Sequence, residues 1–214
     1  MSMDAMAMGS PWNAGALGAA FLMWTTMMAA MMLPSVLPTV RLVAGANRRA
    51  MAGGAAATPP ALFVLGYLVA WTSFSALATT LQGVLLSLSL LTPVLSASDR
   101  RLGGAMLIAA GAYQLTPWKV RCLARCQSPL SFLLLRWREG RCGALAMGVR
   151  HGLFCVGCCW ALMLVLFVVG VMNFAWVVAL AVVILLEKVA IGARWLPQAT
   201  GIALASWGLA LLIR

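Results

Sequence analysis

Residues 143–169 read GALAMGVRHGLFCVGCCWALMLVLFVV. Arg150 and His151 are the only basic side chains in this run, and it contains no acidic residue. At ~1.5 Å per residue a helix of this length reaches ~40 Å, enough to cross a hydrocarbon core ~30 Å thick. The stretch therefore predicts a helix that crosses a lipid bilayer, and it sets the solvent in which the rest of the chain is read.

The whole chain agrees. Of 214 residues, 64% are hydrophobic and 9% charged, whereas soluble domains run nearer ~45–50% and ~25%. A transmembrane barrel would show short alternating strands, and no such alternation is visible. The remaining architecture that satisfies every backbone group in lipid is a helix bundle. The fold class expected is all-α: a polytopic membrane bundle of about six transmembrane helices, forming one integral membrane domain over 1–214.

The spans expected are 15–38, closed by Pro34 and Pro38; 61–91, after the breaker-rich GGAAATPP; 102–116; 143–169; 174–193; and Pro197 to the C-terminus. The third is short, at ~22 Å, although Val94 and Leu95 can lengthen it. Residues 1–14 form a methionine-rich tail without the basic start of a cleaved signal peptide. Ser128-Pro129 marks the start of a short interfacial helix near 128–138, with arginines and a tryptophan at head-group level.

The net charge of +11 does not point to nucleic acid, because the basic residues sit in short connections, where they act as topology signals and lipid head-group contacts. Eleven Lys and Arg fall in the 41–60, 117–142 and 187–196 connections, against Arg100, Arg101 and Arg214 on the other side. The basic side, including the 117–142 connection, is read as cytoplasmic, with both termini outward. If 102–116 does not cross, the N-terminus moves inside.

The fourth span also carries chemistry. On a helical wheel Met147, His151, Cys155 and Cys158 share an arc of roughly 80°, with Cys159 beside it and Met163 further round. Thiolate, thioether and imidazole are ligands suited to copper(I), with zinc as the alternative. An ionisable residue within a span is a functional candidate. The bland reading is packing: cysteine is a small hydrophobe, and Gly148 and Gly152 in GVRHG make a helix-contact pattern. In the first span Met27 and Met31 belong to a stripe begun by Met23 and widened by Met28 and Met32. Thioethers bind copper(I) without deprotonation, although such a stripe is also ordinary core. Cys122 and Cys126 in CLARC are helical neighbours, beside arginines that favour thiolate. Tyr113 and Gln114 have polar groups that need partners at a span end. Glu187 is a candidate to orient His151 or simply to pair with Lys188 or Arg150. Cys142 reads as a free thiol at the membrane edge.

WTTMMAAMMLPS (24–35), AGAYQLTPWKVRCLARCQSP (110–129), GLFCVGCCWALM (152–163) and the Glu187-Lys188 pair together resemble a bacterial family of predicted metal-binding integral membrane proteins, some linked to copper. The resemblance implies a metal-binding protein of the bacterial inner membrane but supplies no reaction. The function expected is copper(I) binding for copper handling or delivery to a membrane or periplasmic cuproprotein. His151, Cys155, Cys158 and Cys159 would form its core, with Met27 and Met31 across a helix interface. A membrane thiol oxidoreductase and a non-catalytic assembly subunit of a membrane complex stand as alternatives, and a homo-oligomer is compatible with any of them.

Overall fold

The computed structural model describes residues 14–90, 99–128, 137–171, 173–190, 192–193 and 195–213. The regular structure in them is helical throughout: α1 (Ala14–Ala52), α2 (Pro60–Ser87), α3 (Arg100–Gln114), α4 (Pro117–Gln127), α5 (Gly140–Leu164), α6 (Leu166–Val169), α7 (Phe174–Val189) and α8 (Trp195–Ile213). Local chemistry sets several boundaries. Proline at the first position starts α2 and α4, where no amide donor is needed. Asp99 accepts from the Arg101 amide at the head of α3, and Thr116 from that of Lys119 at the head of α4. Gly170, at φ 93°, takes the left-handed turn that ends α6.

Four helices among the described residues are long and apolar enough to cross a membrane: Gly15–Ala52, Pro60–Ser87, Gly140–Val169 and Trp195–Ile213. Large apolar side chains such as Leu22, Leu77, Leu153 and Ile202 cover their outer faces, as a lipid solvent permits. The expected count of six is not reached by this measure. The segments expected to span at 102–116 and 174–193 appear as α3 and α7, of 15 and 16 residues, reaching ~22–24 Å.

Two expected boundaries move. Pro34 and Pro38 do not end the first helix; both lie inside α1, which continues to Ala52. Proline is tolerated inside a membrane helix when neighbours satisfy the freed backbone groups. Around Pro34, α1 is also tied to α2, the Met32 carbonyl accepting from the Ser35 hydroxyl at 2.8 Å and from the Tyr67 phenol at 3.3 Å. Nor is the 117–142 connection simply a solvated basic loop: α4 lies in it, with Lys119 and Leu123 buried. The methionine-rich tail up to residue 13 and most of the expected interfacial helix, at 129–136, fall outside the described residues.

Helix directions follow from paired contacts. Trp24 Nε1 donates to Gln82 Oε1 at 2.6 Å, the Tyr67 hydroxyl meets Met32, and the Thr58 amide donates to Asn47 Oδ1 at 2.6 Å, so α1 and α2 are antiparallel. By contrast, α2 and α5 run parallel. A Cβ at Gly148 would collide with the Phe63 carbonyl, one at Gly66 with the Leu145 carbonyl, and one at Gly152 with Ala70. Lipid gives apolar helices little reason to associate, so close backbone contact across small residues does that work. The contact pattern read in GVRHG faces α2. Gly104 and Gly111 of α3 meet Gly208 and Gly201 of α8 in the same way, in antiparallel order.

Candidate metal centre

Cys155 is the hub. It lies on the buried face of α5, 2% exposed, with Cys158 and Cys159 at 1% each. Helical spacing turns those two thiols back on their own helix, and both donate to the Cys155 carbonyl, at 3.1 and 2.9 Å. Around the Cys155 sulfur, Lys188 Nζ from α7 approaches to 2.9 Å and the Tyr67 hydroxyl from α2 to 3.0 Å. The Cys126 thiol of α4 lies near enough to those of Cys155 and Cys158 to interact with them electrostatically. Four helices thus converge on one sulfur, and α1 joins through Lys188, whose ammonium also reaches Ser35 Oγ at 3.0 Å and Met32 Sδ at 3.4 Å.

His151, one turn below Cys155, is 4% exposed. Its ring sits 5.8 Å from that of Phe63 and 6.0 Å from that of Tyr67, and it shares an electrostatic neighbourhood with Cys155 and Lys188. Met147, a further turn down, is buried as well.

The methionines divide. Met32 and Met28 are wholly buried, and Met32 is the one brought to the lysine. Met27 and Met31, the pair expected across the helix interface, line a groove elsewhere, between α1 and α7.

Glu187 faces away from the lysine that follows it. Its carboxylate takes Lys119 Nζ at 2.6 Å and Gln114 Nε2 at 3.1 Å. The salt bridge is buried, with side chains 0% and 2% exposed. The expected roles for Glu187 were to orient His151 or to pair with Lys188 or Arg150. The carboxylate is instead committed to α3 and α4, because a buried ion pair needs a close counter-charge and Lys119 supplies it. Gln127 closes the same junction, donating to the Glu187 carbonyl at 2.6 Å.

Tyr113 donates its hydroxyl to the Gly157 carbonyl and sets its ring edge-on to Trp160, centroids 4.9 Å apart. The Cys122 sulfur lies against Gly157, where a Cβ would come within 3.1 Å, so this glycine lets α4 approach α5. Burial and the neighbouring Cys158 push the Cys122 thiol above its ordinary range, against the opposing charge of Arg125. Arg125 thus does not dominate, contrary to the expectation that the arginines would favour thiolate. Cys142 is exposed.

Among the described residues no group of three or more His, Cys, Asp or Glu is arranged to hold a metal ion. The contacts at Cys155 are those of a compact thiol cluster with a cation beside it. Lys188, Tyr67, Met32 and Ser35 enter it without having been singled out as site residues. An ionisable lysine at the end of an apolar run was the one sequence signal that could have found the first of them.

Apolar helices of membrane-crossing length, packed around buried thiols, make this an integral membrane protein with a sulfur-rich interior. A family model described as PpoB2, copper chaperone, matches residues 21–211. The chain belongs to that family, which confirms the resemblance to copper-linked membrane proteins. The match takes in every motif that carried the resemblance and begins after the methionine-rich tail. Comparison with curated proteins and with solved structures gives no match.

Proposed function

We propose that the chain is a multi-pass protein of the bacterial inner membrane that carries copper(I) as cargo at Cys155 and passes it to a membrane or periplasmic cuproprotein. In this reading α1, α2, α3, α5, α7 and α8 all cross. The basic connections face the cytoplasm and both termini face outward, following the asymmetry of Lys and Arg. Although α3 and α7 are short, the antiparallel contacts of α1 with α2 and of α3 with α8 agree with alternating crossings.

The observation that carries the proposal is the approach of the Tyr67 hydroxyl and the Lys188 ammonium to the buried Cys155 sulfur, with the Cys126 and Cys158 thiols close by. A d¹⁰ cuprous ion accepts few, soft donors, so it needs no triad of the kind typical of zinc. Cys155 with Cys158 or Cys126 would supply thiolate, and Met32 a thioether. His151 and Cys159 stand as further donors, and Cys122 lies on the approach along α4. Two thiolates on copper(I) leave a net negative charge in a low-dielectric interior. Lys188 is placed to balance it, which neutral thioethers could not do. Tyr113, Gln114 and Glu187 act at one remove, by fixing α3, α4 and α7 against α5.

Copper and zinc content of purified protein, compared with a Cys155→Ser/Cys158→Ser/Cys159→Ser variant, tests the proposal. The expected result is copper in the parent and loss of its pH-sensitive share in the variant. Equal copper in both sinks the assignment, and zinc in place of copper replaces the metal. Because thiolate and neutral imidazole are the ligating forms, bound copper should also fall as pH falls.

The closeness of Cys126 to Cys155 and Cys158 gives the thiol oxidoreductase alternative a specific observation too. Exchange with a partner requires an accessible sulfur, however, and Cys155, Cys158 and Cys159 are at most 2% exposed. A mixed disulfide trapped between Cys126 and a partner protein would favour that reading over copper carriage.

A further inference from the structure

The methionines left out of the Cys155 cluster are not scattered. Met23, Met27 and Met31 recur every four residues along α1 and together line an open groove of about 560 Å³ between α1 and α7, with Phe174 and Val178 exposed at its edge. The facing wall is aliphatic and aromatic, from Val171 and Phe174 to Ala181. Thr26 is the one hydroxyl lining it, and that hydroxyl already donates within α1 to the Leu22 and Met23 carbonyls, at 2.8 and 3.0 Å. The other lining residues whose side chains carry a donor atom are the three methionines. Such a wall offers nothing to an anion or a hard cation. It suits a soft monovalent ion, because thioethers are neutral and bind copper(I) without losing a proton in a medium where fixed charge is costly.

The groove also has direction. From Met23 to Met31 the helix advances ~12 Å. At one end Met31 adjoins Met32, whose sulfur lies 3.4 Å from the Lys188 ammonium that contacts Cys155. At the other end lies Phe174, which opens α7, at the opposite end of that helix from Lys188.

We infer that Met23, Met27 and Met31 form a second, thioether-only copper(I) site that links the Cys155 centre to the outer membrane face. The placing of that face rests on the topology proposed above; the site itself rests on the three methionines.

The test uses full-length protein in phosphatidylcholine nanodiscs, titrated anaerobically with copper(I) against a chromophoric chelator at pH 7 and pH 5. In the Cys155→Ser/Cys158→Ser/Cys159→Ser variant a bound equivalent should persist, its affinity changing by no more than about twofold between the two pH values, since no proton is released. Adding Met23→Leu/Met27→Leu/Met31→Leu should remove it. The leucine changes alone should leave the thiol-bound equivalent in place, which also shows that the fold survives them; with two thiol protons released, its affinity should fall by up to about ten-thousandfold at pH 5. Retention of the pH-insensitive equivalent after the leucine changes overturns the inference, as does its absence from the serine variant. Either result leaves the Cys155 assignment standing. That assignment fails separately, if the serine variant still binds the parent's pH-sensitive copper.

Discussion

Replacing Lys188 with glutamine removes one positive charge from the sulfur cluster while keeping a hydrogen-bonding side chain of similar reach. The ammonium sits 2.9 Å from the Cys155 sulfur. Two unit charges at that distance, in an effective dielectric near 20, attract by about 6 kcal/mol. Much of that is offset by the cost of desolvating the lysine itself. If about a third survives, the cuprous thiolate loses ~2 kcal/mol of stabilisation, roughly 30-fold in affinity. Competition with a copper(I) chelator at pH 7, under anaerobic conditions, reads this directly. Lys188→Arg keeps the charge and should recover most of the loss. The opposite sign is the informative failure: tighter binding in Lys188→Gln would mean that the ammonium competes with the metal for the Cys155 and Met32 sulfurs. The charge-balance argument would then be wrong.

Glu187→Gln leaves Lys119 buried without its counter-charge and should cost about 3–5 kcal/mol in thermal unfolding of the detergent-solubilised protein; Lys119→Met in the same chain should restore much of it. Gly148→Ala drives a methyl into the Phe63 carbonyl and should destabilise by about 1–3 kcal/mol. Gly45→Ala, with nothing within 4 Å of the new methyl, should be neutral or gain up to about 1 kcal/mol; equal melting of the two variants would refute the close α2–α5 contact. Tyr67→Phe removes the hydroxyl shared by Cys155 and the Met32 carbonyl. It should cost about 0.5–1.5 kcal/mol of stability, together with a few-fold loss of copper affinity in the chelator assay.

Hydrophobic run lengths were enough to read a helical membrane protein, because lipid leaves so few ways to satisfy a backbone. They were not enough to place helix ends. Pro34 and Pro38 look like terminators to a local rule, yet α1 runs on past both to Ala52. The basic segment after Pro117 reads as solvent-facing, but Lys119 is buried because Glu187, 68 residues away, receives it. On α5 the wheel groups Met147, His151, Cys155 and Cys158, and all four are buried. The wheel put Cys159 at the edge of that arc, and the structure buries it with the others. A wheel cannot choose between the adjacent pairs Met27-Met28 and Met31-Met32. Which member meets the Lys188 ammonium and which lines the groove depends on how α1 is rotated in the bundle, and one residue of rotation separates Met32, whose sulfur contacts the lysine, from the groove-lining Met31.

The order Glu187-Lys188 has a mechanical consequence. One peptide unit, ~3.8 Å between its Cα atoms, joins a side chain clamped to α3 and α4 to one clamped to α1 and α5. The end of α7 is therefore a rocker held at both arms, where a push on Lys188 must be taken up either by rotation of that backbone or by a pull on Lys119. Arg121 and Arg125 lie on the exposed face of the same short helix as Lys119. A spin label at Arg121 or Arg125 should then shift its spectrum when the Cys155 sulfur is loaded, and an unchanged spectrum would refute this coupling.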